Sequence, residues 1–405
     1  MSLPLEGVKV LDFTLLMAGP YCTLMLADMG ADVTKVESFP EGDGARRLAP
    51  IVNGESYCFA VLNRNKKSIA LDIKTPEGKD IFMRMAAEAD ILVENYRPGV
   101  MKKLGIGYEA IRKVNPGLIY ASISGFGQTG PYGGRGGFDI IAQGMSGIMR
   151  MTGEPDGRPA KVGIAMNDIA AGVTMLYAIL GSYIKKLKTG EGIFLDTSLL
   201  EAGFAWTFWE FGAYFGAGEI PKANGTRHRR NAPYQAFKTQ DGYVTVGGNN
   251  DKLWKALCIQ VLEKTELLSD PRFNPVEARL ANVDALQNAI EAVLLTKPTA
   301  HWVARLDAAG VPGGPVYTYD QSVADPHILA RGMVTELDHP KIGRMKNMGS
   351  PVKASADFTR TPEPAPWLGQ QTDATLKGLG MSDEQIGALY AKGVVYDKYR
   401  AKAKD

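Results

Sequence analysis

Val8–Glu37 reads VKVLDFTLLMAGPYCTLMLADMGADVTKVE and holds the three parts of a βαβ unit. Val8–Thr14 is a short β-rich run, Pro20–Met29 is an apolar stretch of helical character, and Ala31–Glu37 is a second β-rich run. Gly30 supplies the stop between helix and second strand, because a residue without Cβ accepts the left-handed turn that ends many helices. Outward from this unit the pattern repeats. SIALDI (Ser68–Ile73), a helical segment from Thr75 to Ala89, ADILVEN (Ala89–Asn95) and GLIYASIS (Gly117–Ser124) follow in order. Strands alternating with helices predict an α/β fold with a parallel sheet covered by helices.

The chain has 405 residues, with 45% hydrophobic and 22% charged, a composition of ordinary globular domains. Its length allows two or three domains. Lys and Arg total 46 against 44 for Asp and Glu, so the net charge of +2 offers no broad field for nucleic acid. Cys22, Cys58 and Cys258 are far apart and form no metal-binding or disulfide pattern. The opening MSLPLEGVKVLDFT reads as a first strand and not as a signal peptide, and no apolar run reaches the ~20 residues of a membrane span. A cytoplasmic protein without membrane contact is expected.

Further along, Gly125–Gly137, GFGQTGPYGGRGG, is too rich in glycine for a helix or central strand. Its first six residues match G-x-G-x-x-G, but Pro131, Tyr132, Gly133 and Gly134 continue the loop where a dinucleotide site needs a helix N-terminus, so nicotinamide binding is not expected. Two readings of the segment stand: a long connection, or a mobile lid after a strand. A long helix follows in IAMNDIAAGVTMLYAILGSYIKKLK, and an aromatic-rich stretch spans Glu201–Gly218. The boundary to a smaller domain is placed near residues 220–230. TPEPAPWLGQ (Thr361–Gln370) reads as a surface strap, with a final helix near Ser382–Lys392.

Asp168 lies where polar sequence becomes helix. Either Asn167 or Asp168 caps the first turn, or Asp168 is a reactive carboxylate surrounded by the same free amides. Asp139, just after the glycine loop, orients a ligand or caps the next helix. Lys66, Lys67, Lys74, Arg97, Lys102 and Lys103 form either a solvated face or, spread over strand ends, a polyphosphate contact. Arg227, His228, Arg229 and Arg230 form a second basic knot that suits a substrate carboxylate.

Several runs together, PLEGVKVLDFTLLMAGP, GADVTKVE, NRNKKSIALDIKTPEGK, ADILVENYRPG, LGIGYEAIRKVNPGLIYASISGFGQTGPY, FDIIAQGMSGIM, NDIAAGV, LKTGEG and RNAPYQAFKTQDGYV, resemble the class III coenzyme A transferase family, which also contains α-methylacyl-CoA racemases. The resemblance spans nearly the whole chain. It implies an interlocked homodimer, with a Rossmann-like large domain formed by residues 1–225 and 326–405 and a smaller α+β domain inserted at 226–325. It implies Asp168 as nucleophile, with backbone amides near Gly136 and Gly137 stabilising oxyanions. Coenzyme A contacts are implied at Leu16, Met17, Ala18, Leu71, Lys74, Asn95, Tyr96, Lys103 and Leu104. Arg135 and Asp139 on and after the glycine loop join this set. Coenzyme A enters as acyl-CoA cosubstrate and no cofactor is held tightly.

Racemases resembling this chain carry histidine where Phe138 stands and glutamate near Asn250. Proton transfer at an α-carbon needs such acid and base groups, and neither Phe138 nor Asn250 supplies one. Transfer of coenzyme A to a free carboxylic acid is therefore expected over racemisation or over non-catalytic acyl-CoA binding. Arg46 or Arg47, with His228 and Arg229, suggests a substrate with a second carboxylate. A succinyl-CoA-type donor and a small dicarboxylic or hydroxy acid acceptor follow. The glycine-rich second-domain loop of formyl-CoA:oxalate transferases is not seen, which disfavours oxalate.

Overall fold

A computed structural model describes residues 2–400, and the chain divides into two compact units. The first comprises Met1–Met149, Lys161–Glu219 and Ala330–Asp405; the second comprises Arg150–Ala160 and Ile220–Leu329. Arg150–Ala160, which the sequence reading kept with residues 1–225, thus clusters with the second unit.

The first unit is built on a seven-stranded sheet. Its strands are β1 (Lys9–Phe13), β2 (Asp32–Glu37), β3 (Lys66–Leu71), β4 (Ile91–Glu94), β5 (Ile119–Ser124), β6 (Ile193–Ser198) and β7 (Val395–Tyr396). They lie in the order β7-β3-β2-β1-β4-β5-β6, all parallel except β7, which pairs antiparallel with β3. The six parallel strands follow the 3-2-1-4-5-6 order of dinucleotide folds, so the direction of winding reverses between β1 and β4. Loops leaving the carboxyl ends of those two strands diverge there and open a crevice.

Helices cover the sheet because apolar side chains on both of its faces must leave water. α1 (Ala18–Asp28) and α4 (Met166–Thr189) pack with Val10, Val33, Ile91, Val93, Ile119 and Ala121. The opposite core gathers Leu11, Ile69, Leu71, Leu92 and Tyr120 against α2 (Pro76–Glu88) and the C-terminal Leu376, Ile386 and Leu389. Thr75 caps α2 by accepting the Gly78 amide at 3.0 Å, and Pro76 sits in the first turn, where its missing N–H costs nothing. The proline-rich strap is fixed to the edge of the sheet, with Glu363 and Asn65 exchanging hydrogen bonds of 2.7 and 3.1 Å.

Beneath the turn after β1 lies a fully buried ionic cluster. Lys66 Nζ contacts Asp12 at 2.9 Å and Lys35 Nζ contacts Asp43 at 3.0 Å, with Asp12 3.8 Å from Lys35. Against the penalty of complete burial, Lys35 and Lys66 hold the Asp12 carboxyl well below the usual carboxylate range. Glu37 takes two hydrogen bonds of 2.7 Å from Arg46, whose guanidinium lies 3.7 Å over the Phe59 ring. Lys66 and Arg46 therefore face the interior: Lys66 is not a phosphate contact, and the expectation that Arg46 meets a substrate carboxylate is corrected by its fork-to-fork pairing with Glu37.

The second unit carries a three-stranded antiparallel sheet of Tyr234–Lys238, Tyr243–Gly247 and Gly313–Pro315. Helices at Val283–Leu294 and Thr299–Ala309 supply Leu286, Ile290, Trp302 and Leu306 to a core with Phe237 and Val244. Among the described residues no helix is long and apolar enough to cross a membrane.

Replacing Asp12 by Asn keeps its shape but leaves Lys66 and Lys35 short of a buried counter-charge. We expect a loss of about 3–5 kcal/mol in unfolding free energy, read as a lowered urea midpoint. A loss under about 1 kcal/mol would show that the cluster does not anchor the fold.

Candidate active site

The crevice at the reversal point is a cavity of about 280 Å³. Leu15–Ala18 after β1, Asn95–Pro98 after β4 and Ile123–Gly125 at the end of β5 form its walls, with Arg135–Asp139, Asp168 and Leu199 completing it. Three sequence-distant segments meet here because they follow adjacent strands of one parallel sheet.

The turn after β1 is held on two sides. Asn95 accepts the Leu15 amide and donates to the Leu15 carbonyl, both at 2.7 Å, while Asp43 accepts the Leu16 amide at 2.9 Å. Lys35, paired with Asp43, also donates to the Thr14 carbonyl at 2.7 Å. These bonds hold Leu16 at φ 64°, an unfavourable conformation for a side chain bearing Cβ. Behind the turn α1 begins at Ala18 with no side-chain cap, so its first amides have no side-chain acceptor.

Asp168 is in the first turn of α4, which begins after Ala165. Four residues on, Gly172 lets α1 approach closely: a Cβ there would lie 2.8 Å from the Ala18 carbonyl. Residues four apart share a helix face, so Asp168 is presented toward the start of α1. Neither Asn167 nor Asp168 caps the helix. Instead Asp139, opening α3 (Asp139–Met145), accepts the Asn167 amide at 2.9 Å and is steadied by Gln143 at 2.7 Å. Asn167 is buried and donates to the Leu199 carbonyl at 2.9 Å.

No described residue donates a hydrogen bond to the Asp168 carboxyl. Burial, and then the charge of Asp139, pushes it up to about 7. A half-buried carboxyl without donors is costly to ionise and reactive once ionised, which separates it from Asp139, whose two oxygens are occupied.

The glycine-rich loop crosses itself at its base. A Cβ on Gly125 would lie 2.6 Å from Gly137 Cα, so both positions require glycine. Ser124 accepts the Gly127 amide at 2.9 Å, and Gln128 donates its amide to Asp196 at 2.9 Å and its side-chain amide to Ser122 at 2.8 Å. Arg135 lays its guanidinium 4.7 Å from the Tyr132 ring centroid and 5.1 Å from that of Phe126.

A family model described as CoA-transferase family III matches residues 5–372. This chain belongs to that family. It is an enzyme, a transferase. It is 40% identical over 394 residues to succinyl-CoA:glutarate CoA-transferase of Homo sapiens, covering 97% of this chain and 90% of that protein. It is also 40% identical to acetyl-CoA:oxalate CoA-transferase of Acetobacter aceti, covering 92% of this chain and 95% of that one. Among solved structures, a CaiB/BaiF family protein from Brucella suis superposes with a TM-score of 0.85 at 37% identity, covering 94% of this chain and all of that one.

Of the residues singled out in the transferase sequence, Leu16, Met17, Ala18, Asn95, Tyr96, Arg135, Gly136, Gly137, Asp139 and Asp168 line one cavity. Leu71, Lys74, Lys103 and Leu104 do not line it. Leu71 is corrected as a side-chain contact, since its side chain is in the core and its position offers only backbone. Lys74 and Lys103 are exposed, and Leu104 packs against the core. Arg47 is exposed, near the Glu41 carbonyl at 3.5 Å, and does not line the cavity. His228 and Arg229 belong to the second unit, where the His228 ring accepts the Arg230 amide at 3.1 Å and Arg229 donates to the Lys222 carbonyl at 3.1 Å. Asn250 caps a second-unit helix through the Leu253 amide at 2.9 Å, a structural duty, and Phe138 lies on the cavity wall.

In the ENYRPG segment the sequence reading named Arg97 only as part of a solvated face or polyphosphate contact, and it did not single out Glu94. Glu94 ends β4, is buried, accepts the Tyr96 amide at 2.8 Å and is raised to about 7 by burial. Arg97 lines the cavity. An acid at the carboxyl end of the strand beside the winding reversal was the available signal.

Because Asp168 binds its proton more tightly folded than unfolded, its ionisation opposes folding as pH rises from about 4 to 7. Asp168→Asn should therefore melt a few degrees above wild type at pH 8 and level with it near pH 4. Calorimetry checks this, and an equal difference at both pH values would contradict the burial of the charge.

Proposed function

We propose that this enzyme transfers coenzyme A between carboxylic acids through covalent Asp168 intermediates. The observation that carries the proposal is the half-buried Asp168 carboxyl, free of donors, at the winding reversal of a class III transferase. The carboxylate attacks the thioester carbonyl of the donor, forming a mixed anhydride and releasing coenzyme A thiolate. Thiolate then attacks the aspartyl carbonyl, the donor acid leaves, and an aspartyl thioester remains. The acceptor carboxylate attacks this thioester and regenerates thiolate, which takes the acceptor acyl group from the second anhydride and frees Asp168. Every step is an acyl transfer, so the thioester free energy is retained.

Coenzyme A is a cosubstrate in this scheme and no resident cofactor is required. Leu16, Met17, Ala18, Asn95 and Tyr96 meet its reactive arm. Lys74, Lys103 and Leu104, with the backbone at Leu71, serve its more distant parts. The amides near Gly136 and Gly137 stabilise the oxyanions, and closure of the glycine loop keeps water from the anhydrides.

The substrate reading is a succinyl-CoA-type donor with a small dicarboxylic acid acceptor. It is supported by relatives whose names include glutarate and oxalate, both dicarboxylic acids. The relative named for acetyl-CoA:oxalate transfer supports keeping oxalate within that acceptor class.

The active form is read as a homodimer. Its support is the helix Phe208–Ala217, which has no buried residue in the single chain and exposes Phe208, Trp209 and Phe215 at 77%, 89% and 70%. A large apolar patch of this kind marks an interface. Light scattering at micromolar concentration should return twice the chain mass, and a monomer would contradict the reading.

Asp168→Ala should lower kcat for transfer at least 1,000-fold, on the order of the loss seen when a covalent nucleophile is removed. In wild type, kcat/KM for acyl-CoA should fall about tenfold per pH unit below about 7, because the protonated carboxyl is no nucleophile. Asp139→Asn removes the neighbouring charge and should move that limb to lower pH. Near-normal turnover of Asp168→Ala, or a flat profile from pH 5.5 to 8.5, would refute the nucleophile assignment.

A further inference from the structure

The cavity is lined by two cations and two acids, Arg97, Arg135, Asp139 and Asp168. Three have defined tasks. Asp139 holds the start of α4 and the Gln143 side chain, Asp168 is the proposed nucleophile, and Arg135 is laid over Tyr132 and Phe126. Arg97 differs. Its guanidinium makes no hydrogen bond, ion pair or ring contact with any described residue, although it stands beside a wall that carries two carboxyl groups.

Its position is nevertheless constrained. Arg97 follows Asn95 and Tyr96, whose backbone is fixed by the Asn95–Leu15 exchange and by the Tyr96 amide on Glu94. Its guanidinium lies against Gly136, where a Cβ would fall 2.8 Å from Cζ. Glycine at 136 thus leaves room for a guanidinium to rest on the loop backbone and still face the cavity.

A cavity of about 280 Å³ is just below the usual range for a whole ligand, roughly 300–1,000 Å³, and suits the reacting acyl end of a much larger acyl-CoA. Within it Asp139 and Asp168 oppose a further negative charge nearby, so an acyl group with a second carboxylate gains from a cation that is not otherwise engaged. A planar guanidinium matches a carboxylate with two parallel hydrogen bonds.

We propose that Arg97 is the subsite for the distal carboxylate of dicarboxylic acyl groups, selecting them over acyl groups that end in methyl. This rests on the Asp168 reading, since that reading places the acyl carbonyl in the same cavity. It assigns the specificity that the sequence placed on Arg46 or Arg47, with His228 and Arg229, to a residue whose charge is uncompensated by the protein. Succinyl-CoA and butyryl-CoA isolate the property, because they share the coenzyme and a four-carbon acyl chain and differ at its far end.

The test compares kcat/KM of the full-length enzyme for those two donors, with one common acceptor, in wild type, Arg97→Gln and Arg97→Lys. We expect Arg97→Gln to lose roughly 10- to 100-fold with succinyl-CoA, the loss typical of one charged hydrogen-bonding partner, while butyryl-CoA is unchanged or improved. Arg97→Lys should recover part of the succinyl-CoA rate. Equal losses with both donors would overturn the proposal and assign Arg97 to the coenzyme or to the loop; no loss with succinyl-CoA would also overturn it. The donor ratio carries this result, whereas failure of the Asp168 reading shows separately as activity retained by Asp168→Ala.

Discussion

Four charged side chains without solvent exposure, Asp12, Lys35, Asp43 and Lys66, tie the first three strands to the turn that follows β1. Buried ions are unfavourable singly and are tolerated here because each meets an opposite charge and further hydrogen bonds. Lys66 also reaches the Pro20 carbonyl at 3.0 Å and the Thr23 hydroxyl at 2.8 Å, so the cluster grips α1 as well as the sheet. Asp43 passes the constraint to Leu16, and Asn95 completes it from β4. The cavity wall is therefore set by interior electrostatics before any ligand arrives.

That rigidity contrasts with the opposite wall. The glycine-rich loop is fixed at its base by the Gly125–Gly137 crossing and by Ser122, Ser124 and Asp196, but its middle carries few side chains that could pack. A rigid wall with an uncapped helix start facing an adaptable wall of backbone amides suits chemistry in which anionic intermediates form, exchange partners and must be kept from water.

Much of the α/β layer was legible because βαβ periodicity is local: the strand, helix and strand of Val8–Glu37 appear as β1, α1 and β2. The strand order was not, since it depends on pairings such as β1 with β4 that no local pattern encodes. The same limit explains the basic residues. Lys66 and Arg46 looked available in the sequence because their partners, Asp12 and Glu37, lie 54 and 9 positions away and only the folded sheet brings them into contact. Asp168 looked like a cap because free amides at a helix start call for one; Asp139, 28 positions before Asn167, supplies it by accepting the Asn167 amide. Release from capping is what leaves the Asp168 carboxyl without a hydrogen-bond donor among the described residues.

The central claim is that Asp168 carries coenzyme A. Mixing the enzyme with succinyl-CoA without acceptor, quenching in acid and mapping peptides by mass tests it directly. The account predicts a coenzyme A thioester on the peptide containing Asp168, converted to a hydroxamate by hydroxylamine and absent from Asp168→Ala. An enzyme that is competent for transfer yet shows Asp168 unmodified, or the same adduct formed by Asp168→Ala, would contradict it.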